Sequence, residues 1–296
     1  MLKVFLSFAL LFSCLFLQNC NSAKSDNLQS NVETDALPQP TEVTQNQDNK
    51  IQLPTTGKVE FKGVSFNYNP QIFGKVDAEE VAEQPLEYET DIPDYVAPQH
   101  FLFTLKAQNQ SEAIIAVYPI EEYRRVWIPV EKNDVGQFNR NLRYVKKFIA
   151  NKNFRVKGEI PYLPYNAGLQ TVEAKVKNFS FKSGKGSFFL TQGVEEEAIV
   201  NNEQLEYDFQ GISEDGKYYI LAQFSPKVSF LPDNYYGGKF EDYSIPDNMN
   251  WNKSERKKYN EYIAKITKRL ENLPSDKYEP NLKYFEEIIS SLKIER

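Results

Sequence analysis

The chain predicts an α+β domain, an antiparallel sheet with helices packed on one face of it, two of them at the carboxyl end. Three observations carry that reading. From Leu163 to Pro226 the sequence is a series of strand patterns separated by turn signals. Lys132 to Ala150 repeats apolar residues at helical spacing, and two more amphipathic helices follow Pro232. Strands followed by segregated helices are the mark of this class.

Residues 1–19 read as an export signal. Met1-Leu2-Lys3 is a short basic start, and Val4 to Leu17 is mostly apolar. The run falls short of the roughly 20 apolar residues of a membrane span and suits a signal core. Leu17-Gln18-Asn19-Cys20 closes it, and polar sequence begins at Asn21. A cysteine at this boundary resembles the lipidation site of bacterial lipoproteins, where the signal is cut before Cys and the thiol receives a diacylglycerol. Gln18 and Asn19 stand where that pattern has small residues. Leu11-Phe12-Ser13-Cys14 fits the box locally, but Leu15-Phe16-Leu17 follows where a polar tether should start, so Cys20 is preferred to Cys14. An ordinary cleaved signal or an uncleaved anchor is the alternative. Both cysteines lie in the leader, which leaves none for a disulfide in the body.

Residues 20–57 carry the lipidated cysteine and a tether rich in Asn, Gln, Ser, Thr, Asp and Pro. Without aromatic residues such a stretch buries too little apolar surface to offset the entropy of ordering. As a flexible coil it reaches about 35 Å on average, enough to lift a body clear of a membrane.

Residues 58–296 then form one domain. Val59, Phe61, Val64, Phe66 and Tyr68 mark a strand or hairpin broken at Lys62-Gly63, and Asn69-Pro70 ends it. Pro85 to Pro98 is an acidic loop. Phe101, Phe103 and Leu105 alternate as a strand, and Ala113 to Tyr118 is a continuous apolar run that suits a central one. In the helix from Lys132, Val135, Phe138, Leu142, Val145 and Ile149 share a face, with Asp134 and Gln137 spaced as a capping box. Val172, Ala174 and Val176 alternate with polar residues, but Phe179 and Phe181 have the other parity, which predicts a bulge near Lys177. Lys182 to Gly186 reads as a turn into Phe188. Leu205, Tyr207 and Phe209 lead to Asp215-Gly216, a tight-turn pair, and Tyr218 to Phe224 returns as a central strand. Asn252 and Glu255 cap a helix whose buried face is Tyr259, Tyr262, Ile263, Ile266 and Leu270. Pro280 suits the first turn of the last helix, with Leu282, Phe285, Ile288, Ile289 and Leu292 on one side.

Gly63 to Pro70, Val117-Tyr118-Pro119, Phe189-Leu190-Thr191-Gln192 and Gln210 to Tyr219 resemble a family of exported bacterial proteins without assigned activity. That resemblance implies export and a single fold. The aromatic amino-terminal strand and the closing Tyr284 to Leu292 are similar to exported PsbP-type proteins, which place helices around an antiparallel sheet.

The chemistry is read mostly by exclusion. His100 is the only histidine, so paired-histidine metal sites and Cys-His dyads are ruled out of the body, and no Gly-x-Ser-x-Gly elbow is present. His100 is expected to be solvent-facing or capped. Gly184-Lys185-Gly186-Ser187 lacks the spacing of a phosphate loop, and Glu195-Glu196-Glu197 lacks the ligand pattern of a calcium loop. No catalytic residue, metal or cofactor is therefore assigned. The net charge of −6 and dispersed Lys and Arg argue against nucleic acid. Gln192, Asn201, Asn202, Tyr207 and Gln210 are a candidate site for a sugar or peptide, since amides beside an aromatic face suit such ligands; the other reading makes Asn201-Asn202 turn chemistry and Tyr207 a core residue. Glu206 and Asp208 share a strand face about 7 Å apart, within the range of glycosidase pairs. The reading is an exported envelope protein, lipid-anchored to a membrane, that acts as a noncatalytic module for a protein, saccharide or peptide. The alternative is an envelope hydrolase using paired carboxylates.

Overall fold

The computed structural model describes residues 56–84, 96–107, 111–128, 136–163, 169–234, 238–246 and 252–295. The signal, Cys20 and the tether lie outside these, as do most of the acidic loop from Pro85 and the expected helix start at Asp134.

β1 (Gly57–Phe61) and β2 (Val64–Tyr68) make the expected hairpin. Its two turn residues, Lys62 and Gly63, have φ of 44° and 78°, the left-handed pair that a tight primed turn requires. The main sheet is built from β3 (Phe73–Val81), β4 (His100–Ala107), β5 (Glu112–Pro119), β6 (Leu169–Phe181), β7 (Gly184–Val194), β8 (Leu205–Ser213) and β9 (Tyr218–Phe224). These seven strands run antiparallel in the order β3-β4-β5-β9-β8-β7-β6. β5 and β9 are central, as their apolar runs predict. Two helices, α1 (Ile120–Trp127) and α2 (Gly136–Ala150), lie between β5 and β6 in the chain. After β9 come the short strands β10 (Lys227–Val228), β11 (Lys239–Phe240) and β12 (Tyr243–Ser244), then α3 (Lys253–Asn272), β13 (Tyr278–Glu279), α4 (Leu282–Ser291) and β14 (Lys293–Ile294). β14 pairs with β2, so the first and last strands of the domain share a small sheet.

The helices occupy both faces of the main sheet, where the sequence places them on one. The register shows why. Phe103, Ile115, Ala222, Phe209 and Phe188 form one cross-strand row, and they pack with β1, β2, α3 and α4. Tyr118, Tyr219 and Ile212 have the other parity and pack with α1 and α2 through Tyr123, Phe138, Leu142 and Val145. Apolar residues on both faces of the central strands demand cover on both.

Two elements carry little signal in the sequence. β3 is an edge strand whose residues are mostly exposed, and only the small apolar Val76 and Ala78 alternate with Lys75, Asp77 and Glu79, a short and weak pattern. α1 is only eight residues long, although Ile120, Tyr123 and Val126 keep helical spacing and Glu121 and Arg125 suit its two ends. The carboxyl-terminal helices behave closer to expectation. The Asn252 side chain accepts from the backbone N–H of Ser254 and Glu255 at 2.8 and 3.0 Å. In α4 the cap is Asn281, accepting from Lys283 N–H at 3.0 Å, so Pro280 precedes the helix instead of opening it.

The strand slip in β6 falls between Ala174 and Lys177, with Lys175 at φ 56°. Lys175 Nζ there donates to the carbonyls of Glu271 and Leu273, each at 2.6 Å, and so caps the carboxyl end of α3. The following turn is only Lys182-Ser183, and Gly184 and Gly186 belong to β7. Those glycines make room for neighbours. A Cβ on Gly186 would sit 2.3 Å from both the Gln210 carbonyl and the Phe209 ring. Gly186→Ala is therefore expected to cost about 3 kcal/mol, read as a lower urea midpoint, whereas Gly74→Ala, with nothing within 4 Å, leaves the midpoint nearly unchanged.

Candidate functional site

The predicted amide site is divided by the fold. Gln192 and Asn201 do meet: Gln192 Oε1 accepts from Asn201 N–H at 3.0 Å, and Asn201 Nδ2 donates to the Ile199 carbonyl at 2.8 Å. Asn202 Oδ1 accepts from Val228 N–H at 2.8 Å, while its Nδ2 donates to the carbonyls of Val228 and Leu231. All three are buried. Their amides replace ladder bonds for a loop that has left the sheet. Tyr207 is also buried, stacked on Phe188 at 4.8 Å, with its hydroxyl donating to Glu286 at 3.1 Å. Gln210 lies on the opposite face of β8, accepting from the Tyr219 hydroxyl at 2.9 Å and donating to the Pro161 carbonyl at 3.0 Å. The structure thus brings the first three together, leaves Tyr207 on the sheet face of Gln192 but bonded to Glu286 instead, and puts Gln210 on the opposite face. Residues three apart on a strand point to opposite faces, which was already readable in the sequence.

His100 is capped, one of the two expected states, and buried instead of solvent-facing. Its Nδ1 bonds the Pro98 carbonyl at 2.8 Å, and its ring lies 4.5 Å from that of Tyr118. Burial lowers its pKa, partly opposed by the Pro98 bond and the charge of Glu79.

Glu206 and Asp208 are the most perturbed polar pair. Both project from β8 toward the α2 side, Glu206 opposite Thr191 on β7 and Asp208 between Phe189 and Gln223. Asp208 is fully buried, while Glu206 keeps part of its surface in solvent. The Tyr162 hydroxyl donates to Asp208 Oδ2 at 2.5 Å, and Gln223 Nε2 donates to Glu206 Oε2 at 3.2 Å. Tyr162 is held there by its own connector. Ile160 bonds Gln170 through both its N–H and its carbonyl, at 3.0 and 2.8 Å, and Pro161 bonds Gln210. Asp208 Oδ1 and the Thr191 hydroxyl are buried without a partner.

Loss of hydration raises Glu206 to about 7, against a smaller lowering by Gln223. Asp208 is pushed well above the carboxylate range, first by burial and then by the charge of Glu206, with the Tyr162 bond opposing. The sequence gives no sign of this, because Tyr162 comes from a distant connector and the loss of water is a tertiary effect. The pair offers a carboxyl that exchanges a proton near neutrality, beside one that burial makes hold its proton more tightly than a free carboxyl does.

Two surface depressions lie elsewhere. One runs along α3 beside Lys253, Arg256 and Lys257. The other, about 340 Å³, is lined by Lys58, Glu60, Lys293 and Glu295, already paired as Lys58 with Glu60 and Lys293 with Glu295. Among the described residues no group of three or more His, Cys, Asp or Glu is placed to hold a metal, and no helix is long and apolar enough to cross a membrane. Compared with known protein families, with characterised proteins and with solved structures, the chain matches none.

Because both carboxyls hold protons in the folded state that an unfolded chain releases, the stability they confer is complete below about pH 4. It drains as pH rises through about 7 for Glu206 and higher for Asp208. The urea midpoint should fall from pH 5 to pH 8. Asp208→Asn, which keeps the shape and cannot ionise, should flatten that fall and be more stable than the parent at pH 8 by about 2 kcal/mol.

Proposed function

We propose that this protein is an exported, lipid-anchored module that binds a partner at the cell envelope without catalysing a reaction. The basic start, apolar run, Cys20 and polar tether support export and anchoring. The burial of Asp208 carries the noncatalytic half of the reading. Carboxylates that cleave a glycosidic bond flank the substrate, and here only Glu206 reaches solvent. With the amides of Gln192, Asn201 and Asn202 spent on backbone bonds, partner contact falls to the outer surface of the sheet and helices.

One observation favours a second reading, an envelope hydrolase. A partly accessible Glu206 that holds its proton to about 7 has the property of a general acid.

In cells fed labelled fatty acid, the mature protein should carry the label and Cys20→Ala should not. Label persisting in the variant, or missing from the parent, ends the anchored reading. Incubated with chromogenic glycosides between pH 5 and 8, the protein should release no product above background. Release that disappears in Glu206→Gln would put the hydrolase in place of the module.

A further inference from the structure

Beyond α1 and α2, the sheet face they cover continues as a surface that no described element covers. Asp77 is exposed there, and Thr104, Ile114, Gln223 and Glu206 are half-buried. Most carboxylates on these two cross-strand rows have a cation from their own chain. Lys75 pairs with Asp77 at 2.7 Å, Lys106 with Glu112 at 3.3 Å, and Arg155 makes a two-pronged contact with Glu173. Glu206 and Asp208 are the exception. Their hydrogen-bond donors are Gln223 and Tyr162, and neither makes an ion pair among the described residues. Beside them two buried polar atoms, Asp208 Oδ1 and the hydroxyl of Thr191, have no partner. Thr191 stands directly between Glu206 and the Arg155-bound Glu173 in the cross-strand row.

We propose that Glu206 receives an arginine side chain from a partner protein that docks on this uncovered sheet face. The proposal rests on the binding-module reading and names the chemistry of its contact. Glu206, which has no cation of its own, selects for positive charge once it ionises, because a neutral ligand leaves that partly desolvated charge uncompensated. A guanidinium stays charged when partly desolvated and offers a planar fork of donors that matches the two oxygens of the Glu206 carboxylate. An ammonium is more strongly hydrated and loses its proton more readily on burial. A hard divalent ion needs six or more oxygens, and the described residues bring no third carboxylate to the pair. Arg155 on Glu173 already shows the fit of a guanidinium to this row.

The groups facing Glu206 are Asp208 on its own strand, Tyr162 from the connector, Gln223 from β9 and the Arg155–Glu173 pair beyond Thr191. Since Glu206 exchanges its proton at about 7, arginine binding displaces that proton. Affinity should climb with pH by up to about tenfold per unit below neutrality and level off above it.

The test uses the mature full-length protein in detergent micelles and a short extended peptide carrying arginine, beside a twin in which citrulline replaces arginine with an uncharged group of the same shape. Calorimetry at pH 8 should show the arginine peptide binding at least tenfold tighter, a difference that disappears in Glu206→Gln. Equal binding of the twins, or a preference that survives in a folded Glu206→Gln, overturns the proposal. So does stabilisation by calcium or magnesium chloride alone, which would make the pair a metal site. Mass spectrometry of the recovered peptide separates the two readings. An intact, unbound peptide defeats the arginine site only, whereas a cleaved peptide defeats the binding module itself.

Discussion

The antiparallel pairing of β5 with β9 joins two meanders, β3-β4-β5 and β6-β7-β8-β9, into one sheet, and the rest of the domain depends on its register. Seven residue pairs, from Ala113 opposite Phe224 to Pro119 opposite Tyr218, fix it. In that register Ile115 and Ala222 enter the core under α3 and α4, while Tyr118 and Tyr219 enter the core under α1 and α2. A slip of one residue would exchange the two sets. It would drive Gln223 into the larger core, where Phe224 stacks on Phe285 at 4.4 Å. Two dissimilar cores back to back leave the sheet only one workable alignment.

That constraint explains what the sequence disclosed and what it withheld. Strands with one or both faces apolar, such as Phe101 to Leu105 and Tyr218 to Phe224, announce themselves by alternation or by an unbroken apolar run. β3 borders solvent along one edge, and its Lys75, Asp77 and Glu79 leave only Val76 and Ala78 to mark a strand, too weak a signal to assign one. Gly184 and Gly186 read as turn because glycine usually marks one. Their real role, clearance for the rings of Phe181 and Phe209, belongs to a neighbouring strand. The carboxylate pair was legible as two side chains on one face. Its protonation was not, since Tyr162 and the loss of hydration are supplied only by the fold.

Buried amides do structural work where the chain departs from the sheet. Between β7 and β8 the backbone leaves the ladder, and Gln192, Asn201 and Asn202 supply the donors and acceptors that a neighbouring strand would have provided. Tyr259 and Tyr262 add two more from α3, accepting from Ala198 and Val200 N–H at 3.2 and 2.9 Å. A buried loop is tolerable only with such compensation, since each unpaired backbone group costs about 1–3 kcal/mol. The same amides in an exposed loop would be free for ligands, so side-chain type alone does not distinguish a binding site from a repaired loop. Burial does.

The Glu206–Asp208 pair has no comparable structural explanation. Tyr162 and Gln223 satisfy one oxygen on each carboxyl, and a leucine or methionine at position 208 would fill the volume beside Phe189 without a desolvation penalty. The arrangement is not forced by a shortage of cations, because Lys75, Lys106 and Arg155 neutralise neighbouring carboxylates on the same face. The uncompensated pair lies where the helix-covered part of that face gives way to the open part, with Asp208 buried and Glu206 at the margin. A polar group that weakens the fold at the edge of an open surface is what a site looks like when its counter-charge arrives from another molecule. Stability given up in the free protein is then recovered on binding, as specificity for a cation.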